Sequence, residues 1–208
     1  MATSERKRPW YLVLALFASL LFGVVGARSG WVRVTWYRDP VDSSLAGQGI
    51  EDDADRAAVV TRLEDYFRTL DAAKDRAWPL GIATLLLGGA TLLFSLRAMG
   101  GSGVARTAVV QLVLAQAAVG TASHYLLRDV EQAELPYLEA IEAAKLHETT
   151  PDRSKADEAS RVWGEALRAA APIALAFQLV GSALIVVALT RRRARDFFDG
   201  VAATVGER

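Results

Sequence analysis

The chain contains no cysteine in 208 residues, which excludes a disulfide framework, a thiolate metal site and a cysteine nucleophile. Histidine is nearly as scarce: His124 and His147 are the only two, 23 positions apart. On one continuous helix that separation is about 34 Å, too far for both rings to ligate one haem, so any haem would need a histidine from a second chain. There is no His-Glu-x-x-His, no acid beside a histidine within an apolar run, and no serine with a credible base. The Gly100 to Gly103 stretch has neither the preceding strand nor the Gly-Lys-Ser/Thr of a phosphate loop, and reads as a turn. No catalytic residue, cofactor or metal ligand is therefore expected, and the chain is not read as an enzyme.

The absence that decides most is local. Charge is missing from all 21 residues between Arg106 and Arg128 and from all 22 between Arg168 and Arg191. Together with Trp10 to Ala27 and Trp78 to Leu96 these make four apolar runs. Runs of about 20 residues, at about 1.5 Å per residue, match the hydrocarbon core of a bilayer. Balanced overall charge conceals this, because the 24 basic and 24 acidic residues are segregated into the segments between the runs.

Basic flanks set the expected orientation. Arg6, Lys7 and Arg8 precede the first run, Arg97 and Arg106 lie between the second and third, and Arg191, Arg192, Arg193 and Arg195 follow the fourth. The segments from Arg28 to Ala77 and from Arg128 to Arg168 carry ten acids each, against eight and six bases. The plan is thus a basic cytoplasmic N-terminus at 1–9, spans at 10–27, 78–96, 107–127 and 169–190, a cytoplasmic turn at 97–106 and a basic cytoplasmic tail at 191–208. Both termini are placed in the cytoplasm. Val25-Gly26-Ala27 at the end of the first span also fits a signal-peptide cleavage site, which leaves a three-span alternative open. Abundant alanine and the preference for arginine over lysine suggest a bacterium of high genomic GC content, hence an inner membrane.

The acidic segments read as helical extensions of the spans. Val59, Leu63, Tyr66, Leu70, Ala73 and Ala77 are spaced 4, 3, 4, 3, 4, the seam of a coiled coil, and predict a helix over 50–77 that enters the second span without a break. In 128–168 a helical hairpin is expected, its first arm kinked at Pro136 and its second begun by Thr150 or Asp152, with Ala156, Ala159, Trp163, Ala166 and Ala170 as the seam. Segment 28–49 has no helical period. Val32, Val34 and Trp36 alternate with Arg33 and Thr35, which predicts one short strand, either open to pairing with another polypeptide or acting as an interfacial aromatic anchor. The expected fold is an all-α integral membrane protein: an antiparallel four-span bundle, three helices extended into an extracytoplasmic bundle, and one strand-like segment.

Within the third span Gln116, Gly120 and His124 share a face, and Gln178 on the fourth span reaches the same depth as Gln116. An amide pair between the glutamines would act as structural glue; lined up with Gln111 and His124 they could instead border a pore. His124 alone is read as an anchor near the outer interface. At the C-terminus the four arginines with Phe197 and Phe198 suggest an amphipathic segment on anionic lipid, and nucleic acid is not an expected partner. The function these patterns suggest is a non-catalytic membrane subunit that assembles with itself or within a larger complex, through Val32, Val34, Trp36, Leu63, Leu70 and Trp163. An oligomeric pore and an extracytoplasmic ligand sensor are the alternatives.

Overall fold

A computed structural model describes residues 8–38, 48–150 and 152–205. These form seven helices: α1 (Trp10–Arg38), α2 (Asp53–Ala72), α3 (Lys74–Met99), α4 (Gly103–Leu126), α5 (Arg128–Thr149), α6 (Arg153–Thr190) and α7 (Arg192–Val205). Four of them, α1, α3, α4 and α6, are long and apolar enough to cross a membrane. The chain is a helical protein of multi-pass membrane type.

No strand occurs among the described residues, which corrects the reading of Trp31 to Tyr37. Val32, Val34 and Trp36 lie instead on the last turns of α1. The reason is cooperativity: nucleation is the costly step of helix formation, and a helix already formed in the span adds a backbone bond for each further residue. A lone strand gains none. The predicted entry from α2 into α3 is interrupted only at Ala73, whose N–H still bonds the Thr69 carbonyl at 3.1 Å while its own carbonyl accepts from Ala77 at 2.9 Å. Leu127 interrupts α4 and α5 in the same way, accepting from Glu131 at 3.0 Å. Pro136 lies inside α5 and ends nothing.

The chain divides into two compact units, Met1–Val32 with Leu80–Thr121 and Ala176–Arg208, and Arg33–Pro79 with Ala122–Leu175. The first is apolar. Its core joins Leu12 and Leu16 of α1, Val109 and Val113 of α4, Leu189 of α6 and Phe198 of α7. Its surface is apolar too, with Leu14, Phe17, Leu86, Leu93, Phe177 and Leu184 exposed. A patch so extensive calls for lipid rather than water around it.

Glycine sets how closely α1 and α3 approach. A Cβ on Gly23 would stand 2.7 Å from the Leu92 nitrogen; one on Gly30 would strike the Leu85 nitrogen, and one on Gly88 the Ala27 nitrogen. These are backbone atoms that cannot rotate aside, so the small residues are what permits contact.

In the second, acidic unit, Val59, Leu63, Tyr66 and Leu70 of α2 are buried, as are Ala73 and Ala77 beyond it. Tyr66 stacks on Tyr137 of α5, ring planes 2° apart and centroids 6.3 Å apart. Asp52 caps α2, accepting from the Ala54 N–H at 2.8 Å, and Asp152 caps α6, accepting from Ser154 at 3.1 Å. Along α6 the buried face in this unit is Ala156, Ser160, Gly164 rather than Ala156, Ala159, Trp163.

Candidate functional site

Candidate functional residues gather in three places: the polar contacts inside the apolar unit, the outer face of α6 in the acidic unit, and the tail helix α7.

In the apolar unit a row of polar contacts links successive helices. Ser19 of α1 and Ser95 of α3, both fully buried, share a hydrogen bond of 2.8 Å. Thr91, one turn from Ser95, has its hydroxyl 2.7 Å from the Leu87 carbonyl of its own helix and 3.2 Å from the Gln116 Oε1 of α4, sharing its one proton between them. Gln178 of α6 donates its amide to the Gln116 backbone carbonyl at 3.1 Å. The two glutamines do come together, but through the main chain of one of them, which leaves the Gln116 side chain for Thr91. Glycines make room for the amides: a Cβ at Gly26 would lie 2.6 Å from Gln116 Nε2, and one at Gly120 would lie 2.5 Å from Gln178 Nε2. Gln111 stays exposed and joins none of these contacts. Such a row supplies cohesion between helices where each unmet donor or acceptor would be costly.

His124 does not join the glutamines either. Its Nδ1 lies 3.1 Å from Glu131 of α5 in the acidic unit. On α5, one turn beyond Glu131, Glu134 is partly buried; burial, reinforced by the nearby Glu131 charge, pushes its carboxyl above the usual range, and Arg33 opposes that shift. Tyr137 is pushed up as well, by burial and then by Glu134.

The returning arm of α6 is held to α5 by Glu139. Arg168 donates to Glu139 at 2.5 Å, Ser160 donates to the Glu139 carbonyl at 3.5 Å, and Gly164 lies under the Glu139 side chain, which a Cβ there would displace. This turns Ala159, Val162, Trp163 and Ala166 outward. With Lys155 and Glu158 they line a shallow open groove of about 520 Å³. Val162 is 58% exposed and Trp163 37% exposed. Leu63 and Leu70, by contrast, are buried inside the unit, and Val32 is exposed on helical rather than extended backbone. The side chain of Trp36 lies outside the described residues.

The tail differs from a segment resting on lipid. Phe198 is completely buried in the apolar core, with the Arg106 guanidinium 5.6 Å above its ring. Phe197 is half-buried under Arg8, 5.2 Å from the ring centre, and Arg191 covers Tyr11 at 5.7 Å. Arg192 and Arg193 are exposed, and Arg195 donates to the Thr190 carbonyl at 2.9 Å. The arginines can still meet anionic lipid. Phe198 cannot.

Several of these features escaped the sequence reading. Gly81 and Gly88 on α3 are legible as small residues that allow close backbone approach, but their match to Gly23 and Gly30 on α1, at the same seven-residue spacing, is not drawn from the sequence. Nothing in the local sequence announces the Ser19–Ser95 bond, because single hydroxyls in apolar helices usually bond their own helix; Thr84, Thr91 and Thr121 do so here, and Ser19 too donates to the Leu16 carbonyl at 2.8 Å while accepting from Ser95.

Among the described residues no group of three His, Cys, Asp or Glu side chains is placed to hold a metal ion. Compared with protein-family models, curated proteins and solved structures, the chain gives no match.

Proposed function

We propose that the chain is a non-catalytic subunit of a bacterial inner membrane, an antiparallel four-span bundle with both termini cytoplasmic, which assembles with copies of itself or with other chains through the outer face of α6. The observation that carries this reading is the apolar groove of Ala159, Val162, Trp163 and Ala166. It is lined also by Lys155 and Glu158, charges that hydrocarbon would reject, so lipid tails are a poor match for it. An exposed aromatic beside aliphatic side chains and rimmed by charge is the usual composition of a protein contact. Leu63 and Leu70, being buried within the acidic unit, and the helical Val32 and Val34 are less suited to assembly than this face.

Val162→Glu and Trp163→Glu, made separately, test it. Both change only exposed positions, so the protein should extract and unfold as the parent does, while the mass of the native particle in mild detergent falls by at least half. An unchanged mass in both variants overturns the reading. Topology has its own test, which the absence of cysteine makes clean. A single cysteine at Ser154 should react with an impermeant thiol reagent in intact cells and one at Ser102 should not; the reverse pattern would invert the orientation.

A further inference from the structure

His147, in the last turn of α5, stands between two carboxylates from different helices. Its Nδ1 lies 2.9 Å from Asp55 of α2 and its Nε2 lies 2.8 Å from Asp157 of α6. The ring is only 13% exposed. A carboxylate offers lone pairs alone, and a neutral imidazole has one N–H. With both nitrogens facing carboxylate oxygens, the neutral ring would set its second lone pair against another; only the imidazolium donates both bonds. The geometry is therefore that of a bound proton.

The surroundings agree. Asp55 and Asp157 face the ring from α2 and α6. Nearby Arg153 of α6 is bonded to the α2 cap Asp52, and Glu148 of α5 accepts from the Glu51 N–H, so Arg153 and Glu148 already have partners. The carboxyl-terminal turn of a helix also favours positive charge.

We propose that His147 is a proton-binding site by which the acidic unit senses pH, protonation clamping the first turns of α2 and α6 to the end of α5 and deprotonation releasing α6. The released partner is Asp157, which is 67% exposed and readily hydrated, whereas Asp55, 19% exposed, keeps the remaining N–H. Hydrogen bonds from the ring to Asp55 and then to Asp157 hold the imidazole above its ordinary value of 6.5. A group whose pKa is raised in the folded state gives its full stabilisation below the unfolded value and loses it as pH rises through the folded one. The clamp is thus closed in mild acid and opens on the alkaline side of 6.5.

The test uses the full chain in nanodiscs. With His124→Gln as background, His147 is the one imidazole visible to NMR, and it should show both ring nitrogens protonated at pH 6 and titrate above 6.5. Spin labels on cysteines at Ala58 and Lys155 should report a longer α2 to α6 distance that grows in over the same pH range. Asp157→Asn, which keeps the fold but replaces the charged acceptor, should lower the titration point and blunt the distance change. A ring that is neutral at pH 6, or a distance that stays fixed while His147 titrates, overturns the proposal.

Discussion

Gly88→Leu is expected to destabilise the apolar unit severely. Even the first carbon of a side chain at Gly88 would overlap the Ala27 backbone, and Gly23 and Gly30 face α3 equally closely. The collision is between main chains, so no rotamer relieves it and α1 must move off α3. That would also pull apart the Ser19–Ser95 hydrogen bond. Overpacking of this kind costs about 3 kcal/mol where the surroundings cannot yield. The measurement is the thermal midpoint and monodisperse fraction after extraction in mild detergent, both of which should fall sharply. Gly89→Leu is the control: a Cβ there meets nothing within 4 Å, and replacing helical glycine by a good helix former gains up to about 1 kcal/mol. Equal behaviour of the two variants would mean that the close approach of α1 and α3 is not what holds them.

Phe198→Ala is expected to follow closely. Its ring is the largest fully buried side chain among the described residues, packed in the cluster with Leu12, Val109 and Leu189. Truncating a buried phenylalanine costs about 3–5 kcal/mol. Phe197→Ala should cost much less, because that ring is only partly covered. The comparison separates two roles for the tail. If α7 merely rested on the bilayer surface, either change would weaken liposome binding and neither would lower the unfolding temperature; a large drop for Phe198→Ala alone marks α7 as part of the core.

What the sequence made legible follows from how each signal arises. The four helices long and apolar enough to cross a membrane were readable because exclusion of charge acts on every residue of such a run. The α2 seam was readable from its 4, 3, 4, 3, 4 spacing, and each of its positions from Val59 to Ala77 is buried. The seam of the returning arm was misplaced by one residue for an instructive reason. Periodicity favours the most apolar stripe, here Ala159, Val162 and Trp163, but close packing on α5 selects small residues, Ser160 and Gly164, that let Glu139 and Arg168 meet. The apolar stripe was thereby left outside. Alternation at Trp31 to Tyr37 failed because it is a local pattern, whereas the helix behind it was already nucleated. The His147 clamp was invisible: Asp55 and Asp157 lie 92 and 10 residues away, and only the fold brings them to one ring.

The cluster that holds Leu12 and Leu16 of α1 draws on Leu189, near the end of the last membrane-length helix, and on Phe198 of α7 beyond it. That sets a schedule for biosynthesis. At about 5–20 residues per second, a ribosome needs on the order of 10–35 seconds to travel from Leu12 to Leu189. Throughout that interval the part of the first helix that Leu189 covers stays open, whereas Ser19 meets Ser95 as soon as α3 is made. The glycine contacts of α1 with α3 can form after fewer than half as many residues, which makes the α1–α3 pair the earliest assembly available to the nascent chain.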